Sequence, residues 1–245
     1  MKLFFQTLEL SSLLLLALSA PVRAVEPGPH VSRYEVRSRG LRVGDVVTVR
    51  EVEQRPEGRC VRVRVEQAIR VSLLWLSVRR EVTEEALLGP DGVTEFHRRA
   101  RVDGQSTDVD AALRDGVFRF AIREDGVERV WNVPRTDYDI TSVDGFELGV
   151  PPGTAVTKRV LSLGELEVTE RTFRGRAPEA LRVGGRSVAC RVVDLEDGRK
   201  QSRRWVVADD WGMAVVRQDG RDRAGAYSMR LSAEAAPGAG AAVRH

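Results

Sequence analysis

The chain has 245 residues, with 39 Lys and Arg against 36 Asp and Glu, three His and two Cys. A hydrophobic content of 42% with 31% charged residues fits a folded chain with a substantial core and excludes a disordered one. Two cysteines exclude a disulfide scaffold and any multi-cysteine metal or iron–sulfur site.

Residues 1–24 read as a cleaved signal peptide. Lys2 supplies the positive start, Leu13–Leu18 the apolar run, and Val22 and Ala24 the residues of a cleavage site after Ala24. The run is shorter than the roughly 20 residues of a membrane span, and no later stretch is apolar enough to cross. The expectation is a periplasmic protein, soluble after cleavage and without a transmembrane segment. Beyond Ala24 there remain 37 basic and 35 acidic residues, with the signs interspersed. That pattern describes a solvated surface and argues against nucleic acid, which needs clustered positive charge.

Residues 25–32 are rich in Pro and Gly and read as a flexible leader. From residue 33 apolar and polar residues alternate with period two, as in Val61, Val63, Val65 against Arg62, Arg64, Glu66. This predicts strands near 33–38, 43–53, 59–71, 73–88, 93–102, 107–113, 117–124 and 127–133. A second group follows near 155–162, 165–174, 179–183, 187–196, 200–208, 213–218 and 225–233. Asp-Gly recurs seven times, at 91, 103, 115, 125, 144, 197 and 219, and predicts tight hairpins. A short helix is expected in 136–148, capped by Asp137 or Asp139. The fold class is therefore mostly all-β: one large curved antiparallel sheet or partial β-barrel, with at most one or two short helices. Residues 33–233 form a single domain, divisible into halves 33–133 and 150–233, and residues 234–245 form a disordered tail.

Candidate chemistry is sparse. Only His97 of the three histidines lies inside the fold, too few for a zinc site, and no Gly-x-Ser-x-Gly elbow or phosphate loop occurs. The acidic pairs Asp137/Asp139 and Asp209/Asp210 suit turn capping better than acid–base catalysis. Asp209, beside Trp205 and Trp211, reads as a bond acceptor for turn amides. No catalytic residue, metal or cofactor is implied. Cys60 and Cys190 either bond across about 130 residues, adding roughly 5 kcal/mol, or are simply small buried side chains. The stretch 71–78, VSLLWLSV, is the most apolar after the signal peptide. It reads either as a central strand covered on both faces or as the wall of an apolar groove. In the groove reading Leu73, Leu74, Trp75, Leu76, Phe118, Phe120 and Trp131 contact the ligand.

The runs Tyr34-Glu35-Val36, Gly40 to Gly44, Pro152-Gly153-Thr154, Val183-Gly184-Gly185, Trp205, Asp209, Trp211-Gly212 and Tyr227 carry a resemblance. Together they resemble exported bacterial proteins of unknown function, the domain of unknown function 3108 and its relatives. The resemblance implies an antiparallel β fold similar in style to the half-barrel lipoprotein carriers LolA and LolB, and it brings no catalytic residues. The expected function is noncatalytic: an apolar ligand, such as a lipid, acyl chain or lipoprotein anchor, held on a concave sheet. The alternative is an envelope protein acting through its surface or sheet edges. An envelope hydrolase built on His97 or an Asp pair ranks third.

Overall fold

The structure, a computed structural model, describes residues 28–56, 58–73, 76–222 and 225–235. The predicted signal peptide, residues 236–245, Leu74 and Trp75 lie outside the described residues.

Eight strands come first: β1 (His30–Ser38), β2 (Leu41–Arg55), β3 (Gly58–Leu73), β4 (Leu76–Gly89), β5 (Gly92–Val102), β6 (Gln105–Arg114), β7 (Val117–Glu124) and β8 (Val127–Pro134). A connection with two 3-10 turns, Arg135–Asp137 and Phe146–Gly149, holds the two-residue β9 (Ile140–Thr141). Six strands follow: β10 (Ala155–Ser162), β11 (Glu167–Val183), β12 (Arg186–Glu196), β13 (Gln201–Asp209), β14 (Gly212–Asp222) and β15 (Gly225–Ala235). All fifteen belong to one sheet, ordered from β8 down to β1, then from β15 down to β9. Each half is a meander, and β1 pairs with β15 at the centre. Every pair is antiparallel except β9 with β10.

The turns follow the sequence closely. Asp103-Gly104, Asp115-Gly116 and Asp125-Gly126 each have two positive φ values, as do Arg39-Gly40 and Gly184-Gly185. That is the primed-turn geometry whose twist matches the flanking strands. Asp219-Gly220 departs from the expectation and lies inside β14, with Gly220 opposite Tyr227. A Cβ at 220 would sit 2.4 Å from the Tyr227 ring, so this glycine makes room for packing rather than a turn.

Three boundaries differ from the sequence reading. The first strand begins at His30, three residues earlier, and His30 and Ser32 are buried. β11 runs unbroken where two strands are expected. The ladder shifts register between Arg176 and Glu179, which absorbs Pro178 and its missing N–H as a bulge. The segment 136–148 forms 3-10 turns and β9, and no α-helix occurs among the described residues. There Asp144 accepts from both the backbone and the hydroxyl of Thr141 at 2.6 and 2.7 Å, closing a turn in place of a helix.

One row of residues crosses the first half on its inner face: His30, Arg50, Val63, Ala86, Phe96, Ala111, Phe120 and Trp131. Small residues flank Phe96, so large side chains interdigitate. The main core joins this face to Tyr138, Leu161 and Leu163 from the far end of the sheet. The sheet thus curls until its two ends meet through side chains, with no ladder between them among the described residues. A second cluster, with Val150, Val160, Phe173, Val193 and Leu195, fills the other half.

Candidate functional site

The apolar residues singled out in the sequence fall into two separate places. Phe118 and Phe120 are fully buried in the main core. Their rings lie 5.1 Å apart, and Trp131 lies tilted against Phe120 at 4.9 Å. Phe120 shares its row with Val63, whereas Leu73 lies ten residues further along β3, about 33 Å of extended strand. On the backbone, Leu73 is therefore far from the row that holds Phe120 and Trp131. Nor is 71–78 a single central strand. It is the end of a hairpin, in which Val71, Ser72 and Leu73 pair with Val78, Ser77 and Leu76. Leu74 and Trp75 stand between Leu73 and Leu76 in the sequence and lie outside the described residues.

Cys60 and Cys190 are not bonded: both are free and buried. β3 and β12 are separated by five intervening strands. The two thiols answer to different carbonyls, Gly58 at 3.8 Å and Val188 at 3.5 Å. Burial pushes the Cys190 thiol up from its ordinary range. They are small core residues, the second of the two readings open from sequence.

His97 sits on the outer face, in a row with Arg64, Glu85, Asp110, Ala121 and Val130. Its Nδ1 lies 2.7 Å from Asp110 Oδ1, in a hollow of about 340 Å³ also lined by Arg99 and Arg123. The residues directly across from His97 are Glu85 and Asp110, and Thr83 also borders the hollow. Among the described residues, no group of three or more His, Cys, Asp or Glu could hold a metal ion.

The interior carries polar pairs that the sequence reading missed. Arg50, 2% exposed, donates to both carboxylate oxygens of Asp209 and to the Met213 carbonyl. Asp209 also accepts from the Trp211 amide at 3.0 Å, the turn-capping role expected for it. Arg204 reaches Glu147 of the connection at 2.5 Å, and Arg171 meets Asp197 at 3.3 Å. Arg204, Arg171 and Asp197, with Gln218, Tyr227 and Lys200, border a polar cavity of about 370 Å³. The available signal for Arg50 was its inward phase with Val46 and Thr48, which alternation alone assigns to the core face. A third place, on the outside of β11–β13, holds Asp194 between Arg203 and Arg176. The Arg203 hydrogen bond, ahead of Arg176, holds the Asp194 carboxyl below the usual carboxylate range.

These features define an open β-barrel-like meander with a packed apolar end and a polar interior basin. No protein-family profile matches the chain, and no curated protein matches it. In fold it is similar to the crystal structure of a beta-barrel-like protein of the domain of unknown function 1849 from Brucella abortus. The TM-score is 0.56 at 13% identity, covering 86% of this chain and 98% of that one. The likeness supports a barrel-like fold, and the neighbour's own domain family is not the one that the turn motifs resemble.

Proposed function

We propose that this protein is a noncatalytic, exported scaffold of the cell envelope that acts through its outer surface and sheet rims. The observation that carries this reading is the filled interior. Phe96, Phe118, Phe120, Leu161 and Leu163 are at most 1% exposed and pack on one another where an acyl chain would lie. What space remains inside is bordered by ion pairs, which disfavours a lipid or lipoprotein anchor as cargo. Export is supported by the sequence of residues 1–24. No helix is long and apolar enough to cross a membrane among the described residues.

Native mass spectrometry of the protein purified without detergent tests this. The expected spectrum shows the bare chain mass with residues 1–24 removed. A co-purifying mass released as lipid by organic solvent would overturn the surface reading in favour of a carrier. Retention of residues 1–24 in the cell of origin would overturn the export reading.

A further inference from the structure

The sheet has two ends: β9, two residues long, and β8, which runs from Val127 to Pro134. Among the described residues, β8 is paired only on the side toward β7. The two-residue turn at Asp125-Gly126 closes the Glu124–Val127 pair, and at the far end the Arg135 amide donates to the Gly116 carbonyl. Odd-numbered residues of β8 therefore bond to β7, and the N–H and C=O groups of Glu128, Val130 and Asn132 point away from the sheet. Edge strands are commonly guarded by bulges, prolines or lysines. β8 pairs with no register shift, carries no lysine, and has its one proline as its last residue.

Both faces of this strand are open. Val127 is 70% and Val130 74% exposed, and Glu128, Arg129 and Asn132 are exposed with them. Two of the four large hydrophobic residues exposed among the described residues thus sit on one free edge. The charges of β8 are answered within its own hairpin. Arg129 meets Glu124 at 3.6 Å, and Glu128 accepts from Arg123 Nε at 3.0 Å. An edge with answered charges, bare valines and unbonded backbone groups suits another strand better than an ion.

We propose that β8 is a self-complementary edge, on which a second copy of the chain pairs antiparallel about a dyad at Val130. Val130 then faces Val130, Glu128 faces Asn132, Arg129 faces Trp131 and Val127 faces Val133. The outward backbone groups of the two copies close about six hydrogen bonds. On the outer face the two exposed valines at the dyad cover each other. On the inner face the Arg129 guanidinium lies across from the Trp131 ring of the second copy, where a cation–π contact can form. Neighbouring registers are poorer. A dyad at Arg129 sets two guanidinium groups face to face, and one at Trp131 puts Pro134, which has no N–H, opposite Glu128. The contact is one strand wide, so the dimer forms with concentration, and the dilute chain is a monomer with Val130 solvated. The proposal rests on the reading that the protein acts through its surface and rims, and it names the partner.

Analytical ultracentrifugation between about 5 and 500 µM tests it, using protein from the soluble fraction of expressing cells with its N-terminus read by mass. The weight-average mass should climb from that of one chain toward that of two. Val130→Lys and Val130→Glu each set like charges together at the dyad and should weaken association at least tenfold. An equal mixture of the two variants sets Lys opposite Glu and should associate at least tenfold more strongly than either alone. Thermal melts of dilute protein show that each variant is folded. Hydrogen exchange at Glu128, Val130 and Asn132 should slow severalfold as concentration rises. Wild type that stays monomeric throughout, variants that dimerise as wild type does, or a mixture no better than its components would overturn the proposal. Edge amides already protected in dilute protein would overturn it too, by placing a segment of the same chain on β8. A monomer with a bare native mass removes the second copy alone. A co-purified lipid removes the surface reading beneath it.

Discussion

Arg50 and Asp209 stand 159 positions apart in the sequence and hold each other through two hydrogen bonds, 2.9 and 2.8 Å long. One lies on β2 and the other at the end of β13, so the pair ties the two meanders together across the interior. Arg50→Met leaves the carboxylate with the Trp211 amide alone. The expected cost is about 2–3 kcal/mol, below that of a fully buried pair because Asp209 keeps 24% exposure. Arg50→Met with Asp209→Leu should recover only part of this, since the turn then loses its cap. Urea denaturation at constant m-value reads both.

Phe120 is a core residue in a row that ends at the sheet edge, and the two faces of that edge respond differently to truncation. Phe120→Ala removes a fully buried ring between Phe118 and Trp131 and should cost about 3–5 kcal/mol. Val130→Ala, on the outer face at 74% exposure, should change stability by less than about 0.5 kcal/mol. Equal losses in thermal melts would show that Val130 is covered and the edge is not free.

Asp194 supplies a pH dependence with a definite sign. Its carboxyl is held low by Arg203 first and Arg176 second. The unfolded chain therefore takes up the proton at a higher pH than the folded one. The stabilisation is complete above the unfolded value of about 3.9 and is lost as pH falls through the folded value. Wild type should lose stability more steeply than Asp194→Asn below about pH 4, and the two curves should run parallel above pH 6. A constant difference down to pH 2 would contradict this assignment.

The two thiols should behave alike in the native state and differently from a disulfide. Cys60 and Cys190 are both buried and free, and burial raises the Cys190 thiol. Native protein should be silent to a thiol reagent at pH 8, and two thiols should appear on denaturation without reductant. Loss of two mass units and no thiol signal would place the two sulfurs in a bond.

Most of the strand order was legible because period-two alternation and Asp-Gly turns act locally. A turn such as Asp125-Gly126 needs only its own two residues to set a hairpin. The same local signals cannot say which distant strands share a level of the barrel. Phe120 and Leu73 both read as apolar wall, yet register puts them far apart. Alternation could place Arg50 on the core face, but its partner, Asp209, is fixed only by curvature of the whole sheet.

Gly220 shows how a strong local signal is overridden by packing, and it can be tested directly. Gln218 donates to the Tyr227 hydroxyl at 3.0 Å, which draws the ring over the neighbouring strand at Gly220. Gly220→Ala would put a Cβ 2.4 Å from that ring. The cost should be roughly 1–3 kcal/mol, as for other overpacked sites. In a true Asp-Gly turn the penalty would come from backbone φ instead and would not depend on Tyr227. Tyr227→Leu removes the obstruction, so Gly220→Ala in that background should cost at least about 1 kcal/mol less than in wild type. Full additivity of the two substitutions in urea melts would return position 220 to a backbone role.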